Sequence, residues 1–241
     1  MVHPARLLMR RLTTRALISA TIVCGLTAST RIGAHDPIGS RVTWTGDIER
    51  IFQARCVGCH AAGSRDPMPL TTYEEAQPWT GAIRQQVLSR RMPIWHAARG
   101  FGDFANDPSL TPLEIALIAA WANAGGPRGT ANGPDTVPSP RLEVDKSVPA
   151  ARMGREIMVP CGMQPMSGRL LAVNPKLEKG GSVMVAALSH DGQRQILAWI
   201  RDYDPQYPTT YWFRTPVTLS RGSRLEIAAT GECRLAATMA R

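Results

Sequence analysis

Apolar side chains recur at helical spacing in the first half of the chain. Positions three and four residues apart are apolar over residues 47–55 and 80–90, which predicts two helices that each bury one face. Two capping boxes, each a threonine followed three residues later by glutamate, predict a short helix after Thr72 and the longest helix after Thr111. That last helix should end at Gly125, because glycine adopts the left-handed backbone conformation that terminates helices. This half therefore has the pattern of an all-α region.

The pattern changes to that of β-strands beyond residue 145. Short runs of β-branched, apolar and aromatic residues alternate with turn signals, and Asp191-Gly192 indicates the tip of a hairpin. A stretch rich in glycine and proline at residues 130–145 separates the two patterns. Strands are predicted at residues 156–159, 169–173, 182–188, 195–200, 210–213 and 224–228. Their number and spacing favour an antiparallel β-sandwich.

The N-terminus has the features of a secretory signal. Arginines precede an apolar run at residues 16–28, which is too short to span a membrane but suits the central region of a signal peptide. Small residues offer cleavage points as far as residue 34, so we expect residues 1–34 to be removed from an exported, periplasmic protein. The alternative is an uncleaved leader that anchors the protein to the membrane.

Composition and charge exclude two broad classes. With 44% hydrophobic and 20% charged residues, the chain is globular rather than disordered. The formal net charge is +9, but residues 1–34 hold five arginines and no acid, which leaves 23 basic against 19 acidic residues. These charges form no basic stripe interleaved with aromatic residues, so no nucleic-acid partner is predicted.

The sequence Cys56-Val57-Gly58-Cys59-His60 has the spacing of covalent c-type haem attachment. Two thiols one helical turn apart reach the two vinyl groups of the porphyrin, and the next residue supplies an imidazole to the iron. Thioredoxin-like and zinc sites share the C-x-x-C spacing, but no preceding strand and no second cysteine pair at zinc-finger distance accompany it here. We predict one covalent haem c held by Cys56 and Cys59, with His60 as an axial ligand.

The second axial ligand has three candidates, Met68, Met92 and His96. Met92 is favoured, because a proline stiffens its loop and Trp95 can shield a haem from water. Met68 lies only eight residues after His60, so its side chain would have difficulty reaching the opposite face of the haem. His96 is expected at the surface or beside a propionate.

The remaining cysteines suggest a disulfide in the second half. In an oxidising compartment, Cys161 and Cys233 would close a loop of 72 residues. Two buried free thiols or a thiolate copper site are the alternatives. Cys161, Met163 and Met166 form a cluster of soft sulfur ligands, which would suit Cu(I).

Several separated blocks resemble one family of monohaem cytochromes c. These blocks are the C-x-x-C-H motif and residues 69–76, 90–96, 104–107 and 113–126. They are similar to the haem domain that bacteria often fuse to a copper type II, ascorbate-dependent monooxygenase-like module. The resemblance covers residues 44–129 and implies that Met92 is the distal ligand, although Ile94 replaces a proline of the family pattern.

The second half resembles the copper-binding jelly-roll domain of the same fusion proteins less closely. The similar stretches are residues 199–204, 211–213 and 216–226. The family's His-x-His pair is missing, because the corresponding residues 163–169 contain no histidine and His190 is the only histidine in this half. One imidazole cannot hold Cu(II) through a catalytic cycle, so copper monooxygenase activity is not expected.

The sequence therefore predicts a multidomain chain, with an all-α cytochrome c domain followed by an antiparallel, jelly-roll-like β-sandwich. Its segments are a signal peptide at residues 1–34, the haem domain at 35–129, a linker at 130–145 and the β-sandwich at 146–241. The expected function is single-electron transfer to or from a redox partner protein rather than enzymatic catalysis. Two alternatives stay open, a copper-dependent oxidoreductase or Cu(I)-handling protein fed by the haem, and an adaptor subunit of a larger complex.

Overall fold

A computed structural model describes residues 42–64, 68–130 and 154–241, all of which belong to one compact unit. Helices occupy the first part of this unit. A π-helical turn at Trp44–Ile48 precedes α1, and a 3-10 turn at Gln77–Trp79 joins α2 to α3. The α-helices are α1 at Glu49–Arg55, α2 at Tyr73–Ala76, α3 at Thr80–Leu88 and α4 at Pro112–Asn123. None of the described helices combines the length and apolar character needed for a membrane span.

These helices share one apolar core, which we call the helical core. Three aromatic rings lie at its centre, with ring centroids 5.1 Å apart for Trp44 and Phe52 and 5.8 Å apart for Trp44 and Trp121. Trp121 is fully buried, and its indole N–H donates to the carbonyl of Pro127. The helical core consists of Val42, Trp44, Ile48, Ile51, Phe52, Leu70, Ala76, Ile83, Val87, Leu110, Ile118 and Trp121.

Both predicted capping boxes are confirmed. The Thr72 and Thr111 side chains accept hydrogen bonds from the backbone N–H groups of Glu75 and Glu114. The glutamate side chains in turn accept from the backbone N–H groups of the two threonines, so each box satisfies two backbone donors at the start of its helix.

The second part of the chain forms two antiparallel four-stranded sheets. The strand order is β1-β8-β3-β6 in one sheet and β2-β7-β4-β5 in the other. The strands are β1 at Arg155–Pro160, β2 at Gly162–Pro165, β3 at Gly168–Leu177, β4 at Val183–Leu188, β5 at Arg194–Ile200, β6 at Tyr211–Leu219, β7 at Arg224–Ala229 and β8 at Cys233–Met239. β4 and β5 pair as the hairpin that Asp191-Gly192 predicted.

A second apolar core joins these strands, and we call it the sandwich core. It includes two residues from the first half of the chain, Ala97 and Phe104. Its other buried members are Val159, Leu170, Val173, Leu177, Val183, Val185, Leu197, Ala198, Ile200, Tyr203, Tyr211, Phe213, Leu219, Leu225, Ile227, Leu235 and Ala237.

The stretch between α3 and α4 explains why Ala97 and Phe104 belong to the sandwich core. We call residues 95–106 the connecting segment. Ala97 forms a β-bridge with Ile200 of β5, and Phe104 forms one with Phe213 of β6. Since β5 and β6 are edge strands of different sheets, the connecting segment covers an exposed edge of each.

The predicted fold class is therefore wrong, because no all-α cytochrome c domain is present among the described residues. Eight antiparallel strands in two sheets dominate them, and the longest helix has only 12 residues. Apolar periodicity located the short helices, but residues 89–111 form no helix, and within them residues 96–105 bond to β5 and β6 instead. Such long-range pairing leaves no periodic signal in the sequence.

Two strands were missing from the sequence prediction, β2 and β8. β2 has the sequence Gly-Met-Gln-Pro, and β8 contains adjacent alanines at Ala236 and Ala237. Glycine, proline and alanine are all depleted in strands, so these segments lack the usual composition. The leader at residues 1–34 and all but the first residue of the linker at 130–145 lie outside the described residues.

Cys161 and Cys233 form a disulfide, with their Cα atoms 5.9 Å apart. Cys161 lies in the turn between β1 and β2, and Cys233 is the first residue of β8. Both pack against the sandwich core. The bond therefore ties the passage between the two sheets to a strand that is central in its own sheet.

Replacing both cysteines by alanine should lower the free energy of unfolding by about 4 kcal/mol, the chain-entropy estimate for a closed loop of 72 residues. Urea denaturation of the oxidised protein measures this loss. Wild-type protein unfolded with a reductant present is the control and should show the midpoint of the double variant. An unchanged midpoint in the double variant would contradict this account.

Candidate functional site

The C-x-x-C-H motif continues the last turn of α1. Cys56 caps this helix, and its backbone N–H donates to the carbonyl of Phe52 at 2.8 Å. The N–H of His60 donates in the same way to the carbonyl of Cys56 at 2.9 Å. Both cysteines are free thiols; Cys56 packs against the helical core, whereas Cys59 is exposed. The motif thus lies on one helical turn at the surface of the helical core.

His60 has a defined ring orientation. Its Nδ1 lies 2.8 Å from the backbone carbonyl oxygen of Met68. A carbonyl can only accept, so Nδ1 carries the proton and Nε2 of the neutral ring keeps its lone pair. A second backbone bond, from the N–H of Leu70 to the carbonyl of His60 at 2.8 Å, fixes the same loop. Histidines that bind metals are usually held in this way, with one nitrogen on a carbonyl and the other available.

This arrangement gives Met68 a role that sequence reasoning missed. The backbone of Met68 orients His60, and its partly buried side chain packs against the helical core. A backbone contact leaves no residue-type signal, so the spacing of Met68 from the motif was the only available clue.

An ion pair joins the motif to α4. Arg55 immediately precedes Cys56, and its Nε donates to Glu114 Oε1 at 3.0 Å. Arg55 also donates from Nη1 to the carbonyl of Asp107 at 3.3 Å. The Glu114 side chain is only 2% exposed and is satisfied by Arg55 together with the capping box. The capping-box pattern predicted the capping role of Glu114 but not its ion pair with Arg55.

The environment of Cys56 keeps its thiol protonated. Burial raises the pKa of Cys56 to about 12, and the negative charges of Glu114 and then Cys59 add to this effect. Arg55 acts in the opposite direction, without offsetting the loss of hydration. Thiolate is the reactive form of cysteine, so Cys56 is protected against side reactions in the free chain.

Met92 follows α3 and lines a small surface pocket, which we call the Met92 pocket. The branched aliphatic side chains of Val87, Leu110 and Ile115 line it beside Met92. Val87 and Leu110 are members of the helical core, against which Cys56 and Ile115 also pack. The remaining lining residues are Arg90, Pro93, Arg99 and Ser109. Met92 and the motif therefore adjoin the same helical core.

His96 lies against the sandwich and is not among the residues that line the Met92 pocket. Its ring centroid is 5.5 Å from that of Tyr203, which belongs to the sandwich core. Burial lowers the pKa of His96, although Asp204 and Asp202 oppose the shift. The backbone carbonyl of His96 accepts from the N–H of Arg201 at 2.9 Å.

The sulfur groups considered for copper do not form a free ligand set. Cys161 is bonded to Cys233 and has no thiolate to offer. Met163 is exposed on β2, whereas Met166 packs against the sandwich core. Within the described residues, no group of three or more histidine, cysteine or acidic side chains is placed to hold a metal ion.

Comparisons with known proteins identify no family. No protein-family model and no curated protein matches the chain. Two solved structures of pentameric capsid proteins isolated from metagenomic phage sequences show weak similarity, each at 16% identity. One match covers 36% of this chain and 60% of the capsid protein with a TM-score of 0.26, and the other covers 66% and 89% with 0.27. Such low TM-scores define no shared fold, and the resemblance to monohaem cytochromes stays a prediction.

The two thiols should differ in reactivity in protein made without haem attachment. At pH 8 iodoacetamide should alkylate exposed Cys59 and leave Cys56 largely unmodified, because a pKa of about 12 leaves little thiolate at Cys56. Mass spectrometry of peptides sampled over time measures both rates.

The Glu114→Gln variant tests how much the Glu114 charge contributes to the raised pKa of Cys56. Removing this charge should lower the pKa of Cys56 and increase its alkylation rate, because the Glu114 carboxylate disfavours a nearby thiolate. Cys59 serves as the internal reference. Equal alkylation rates for Cys56 and Cys59 in the wild-type chain would contradict the described burial.

Proposed function

We propose that the protein is an exported c-type cytochrome that binds one haem covalently and transfers single electrons to or from a redox partner protein. The observation that carries the proposal is the His60 geometry. A C-x-x-C-H motif on one helical turn ends in an imidazole whose Nδ1 is held by the Met68 carbonyl, which leaves Nε2 for a metal.

The surroundings of the motif suit a haem. Cys56 and Cys59 are both free to form thioethers, and neither belongs to the Cys161–Cys233 disulfide. Partly buried apolar side chains that pack on the helical core, including Met68 and Ile115, would offer contacts to a porphyrin. When bound, haem c would supply a single-electron Fe(III)/Fe(II) couple.

Met92 is proposed as the second axial ligand. It lines a pocket beside Val87 and Leu110 of the helical core. A thioether ligand raises the reduction potential, which suits an electron carrier. The apolar side chains of the Met92 pocket would limit access of water to the ligand.

The arginines of the Met92 pocket suit the propionate groups of a haem. Arg90 and Arg99 both line the pocket, and both are exposed. Arg99 uses Nη2 to hold the carbonyl of Leu110 at 3.1 Å, and other N–H groups of its guanidinium can still bind a carboxylate. The redox partner would form a small, transient interface, as is usual for electron transfer.

Expression in a periplasm with haem-attachment machinery tests the proposal. The wild-type chain should contain one iron and one covalent haem, seen in denatured protein by elemental analysis and intact mass. The variants Cys56→Ala and Cys59→Ala should each retain at most one thioether, because each removes one of the two attachment thiols. A wild-type chain that matures without covalent haem would overturn the proposed function.

Met92→Ala tests the axial ligand, with Met68→Ala as the matched control. The ferric Met92→Ala protein should lose the methionine-to-iron charge-transfer band and show a lower reduction potential, because its thioether is gone. Met68→Ala should keep the band, because the carbonyl that holds His60 belongs to the backbone and survives the substitution. The reverse pattern would identify Met68 as the ligand.

A further inference from the structure

We infer that the β-sandwich positions the loop that carries Met92, and that Trp95 is the positioning residue through which it does so. This inference rests on the proposed function, since it concerns the proposed methionine ligand. It assigns the second half of the chain a part in haem ligation that the sequence did not indicate.

The connecting segment depends on the sandwich for its order. No helix forms between α3 and α4, and the chain turns to β5 for its backbone partners. The N–H of Ala98 donates to the carbonyl of Trp199 at 2.7 Å, and the N–H of Arg201 donates to the carbonyl of His96 at 2.9 Å. These two bonds flank the bridge between Ala97 and Ile200.

A second attachment lies on β6. The N–H of Ala105 donates to the carbonyl of Trp212 at 2.8 Å, and the N–H of Arg214 donates to the carbonyl of Asp103 at 2.9 Å. The Arg214 side chain reinforces this attachment, with Nε 3.1 Å from Asp103 Oδ1 and Nη2 3.2 Å from the carbonyl of Phe104. The connecting segment is therefore fixed at two points on two different sheets.

Between these attachments the segment passes very close to the sandwich. A Cβ added at Gly102 would meet the carbonyl oxygen of Leu197 at 2.4 Å and the Phe104 ring at 2.6 Å. The φ of Gly102 is +84°, a conformation that other residues rarely adopt. Such close approach leaves the segment little freedom to shift relative to β5.

Trp95 lies at the N-terminal end of the connecting segment and packs against the sandwich core. Its ring centroid is 4.8 Å from that of Tyr211, which is fully buried, and 5.8 Å from that of Phe104. Only two residues separate Trp95 from Met92, so their Cα atoms can lie at most about 11 Å apart in extended chain. The contact between Trp95 and the sandwich core therefore limits how far Met92 can move.

This restraint has a direct consequence for ligation. A ligand on a mobile loop loses conformational entropy each time it binds, whereas a preorganised ligand has lost it already. The sandwich should therefore favour the methionine-bound form over an open form that accepts an external ligand.

Imidazole binding to the ferric holoprotein measures the open form. Trp95→Ala should bind imidazole about tenfold more tightly than wild type and show a weaker methionine-to-iron band, because the open form becomes more populated. Trp95→Phe should restore most of the wild-type affinity, because it keeps an aromatic ring against Tyr211. Unchanged imidazole affinity in Trp95→Ala would overturn the inference.

Leu235→Ala is the control for general loss of sandwich stability. Leu235 is fully buried in β8, outside the connecting segment, so this variant should be less stable but bind imidazole as wild type does. If Leu235→Ala matched Trp95→Ala in imidazole affinity, Trp95 would have no specific positioning role.

Arg214→Ala tests the same inference in a variant that should fold, because this arginine side chain is 44% exposed. Arg214→Ala should increase imidazole affinity less than Trp95→Ala does, because the backbone bonds to β6 remain. Hydrogen exchange provides a readout that needs no haem, and it is measured at the Ala98 and Ala105 amides relative to the Val173 amide in the central strand β3. This ratio should rise in Trp95→Ala and stay unchanged in Leu235→Ala, which loosens the whole sandwich. Equal ratios in the two variants would contradict the inference.

Met92→Ala separates a failure of the Met92 ligand assignment from a failure of the positioning role of Trp95. If this variant binds imidazole no more tightly than wild type, Met92 is not the ligand and the inference fails together with that assignment. If Met92→Ala binds imidazole tightly while Trp95→Ala does not, the cytochrome function stands and the positioning role of Trp95 is wrong.

Discussion

Backbone pairing between the connecting segment and the outer edges of β5 and β6 is the constraint on which the arrangement of this chain depends. Edge strands present unpaired N–H and C=O groups, and a segment without secondary structure of its own has the same need for partners. The bridges at Ala97 and Phe104 provide hydrogen-bond partners both to the edge strands and to the connecting segment. Phe104 then contributes its side chain to the sandwich core, so the apolar packing of the β half includes part of the sequence that precedes α4.

The two proposed iron ligands differ in how they are held. His60 is positioned locally, because the carbonyl of Met68 belongs to the loop that follows the motif, and Arg55 ties the adjacent helix to Glu114. Met92 is held from two sides, because its N–H and that of Arg91 donate to the carbonyl of Gln86 at 3.4 and 2.9 Å, whereas the residues that follow it are held by the sandwich. The first proposed ligand is therefore positioned within the helical part, whereas the second is positioned by α3 on one side and by the sheets on the other.

This difference also explains what could be predicted from the sequence. The capping boxes at Thr72 and Thr111 and the hairpin at Asp191-Gly192 rest on neighbouring residues, and each is present. The sequence could not reveal that residues 96–105 pair with distant strands, because edge pairing uses backbone groups that all residue types except proline share. For the same reason the Met68 carbonyl was missed. An all-α domain was inferred from the helical pattern and from the resemblance to monohaem cytochromes, and neither indicated that the chain between the helices pairs with β5 and β6.

Under the proposed function, single-electron exchange explains why the position of Met92 would matter. A carrier works best when its ligands keep their positions in both oxidation states, and a thioether binds Fe(III) less well than Fe(II). A loop held by packing reduces the entropy that ligation must overcome, so the methionine can stay bound in the ferric state. The Trp95–Tyr211 contact makes that packing a property of the sandwich. On this account the β half helps to set the reduction potential, whatever surface it also offers to a partner.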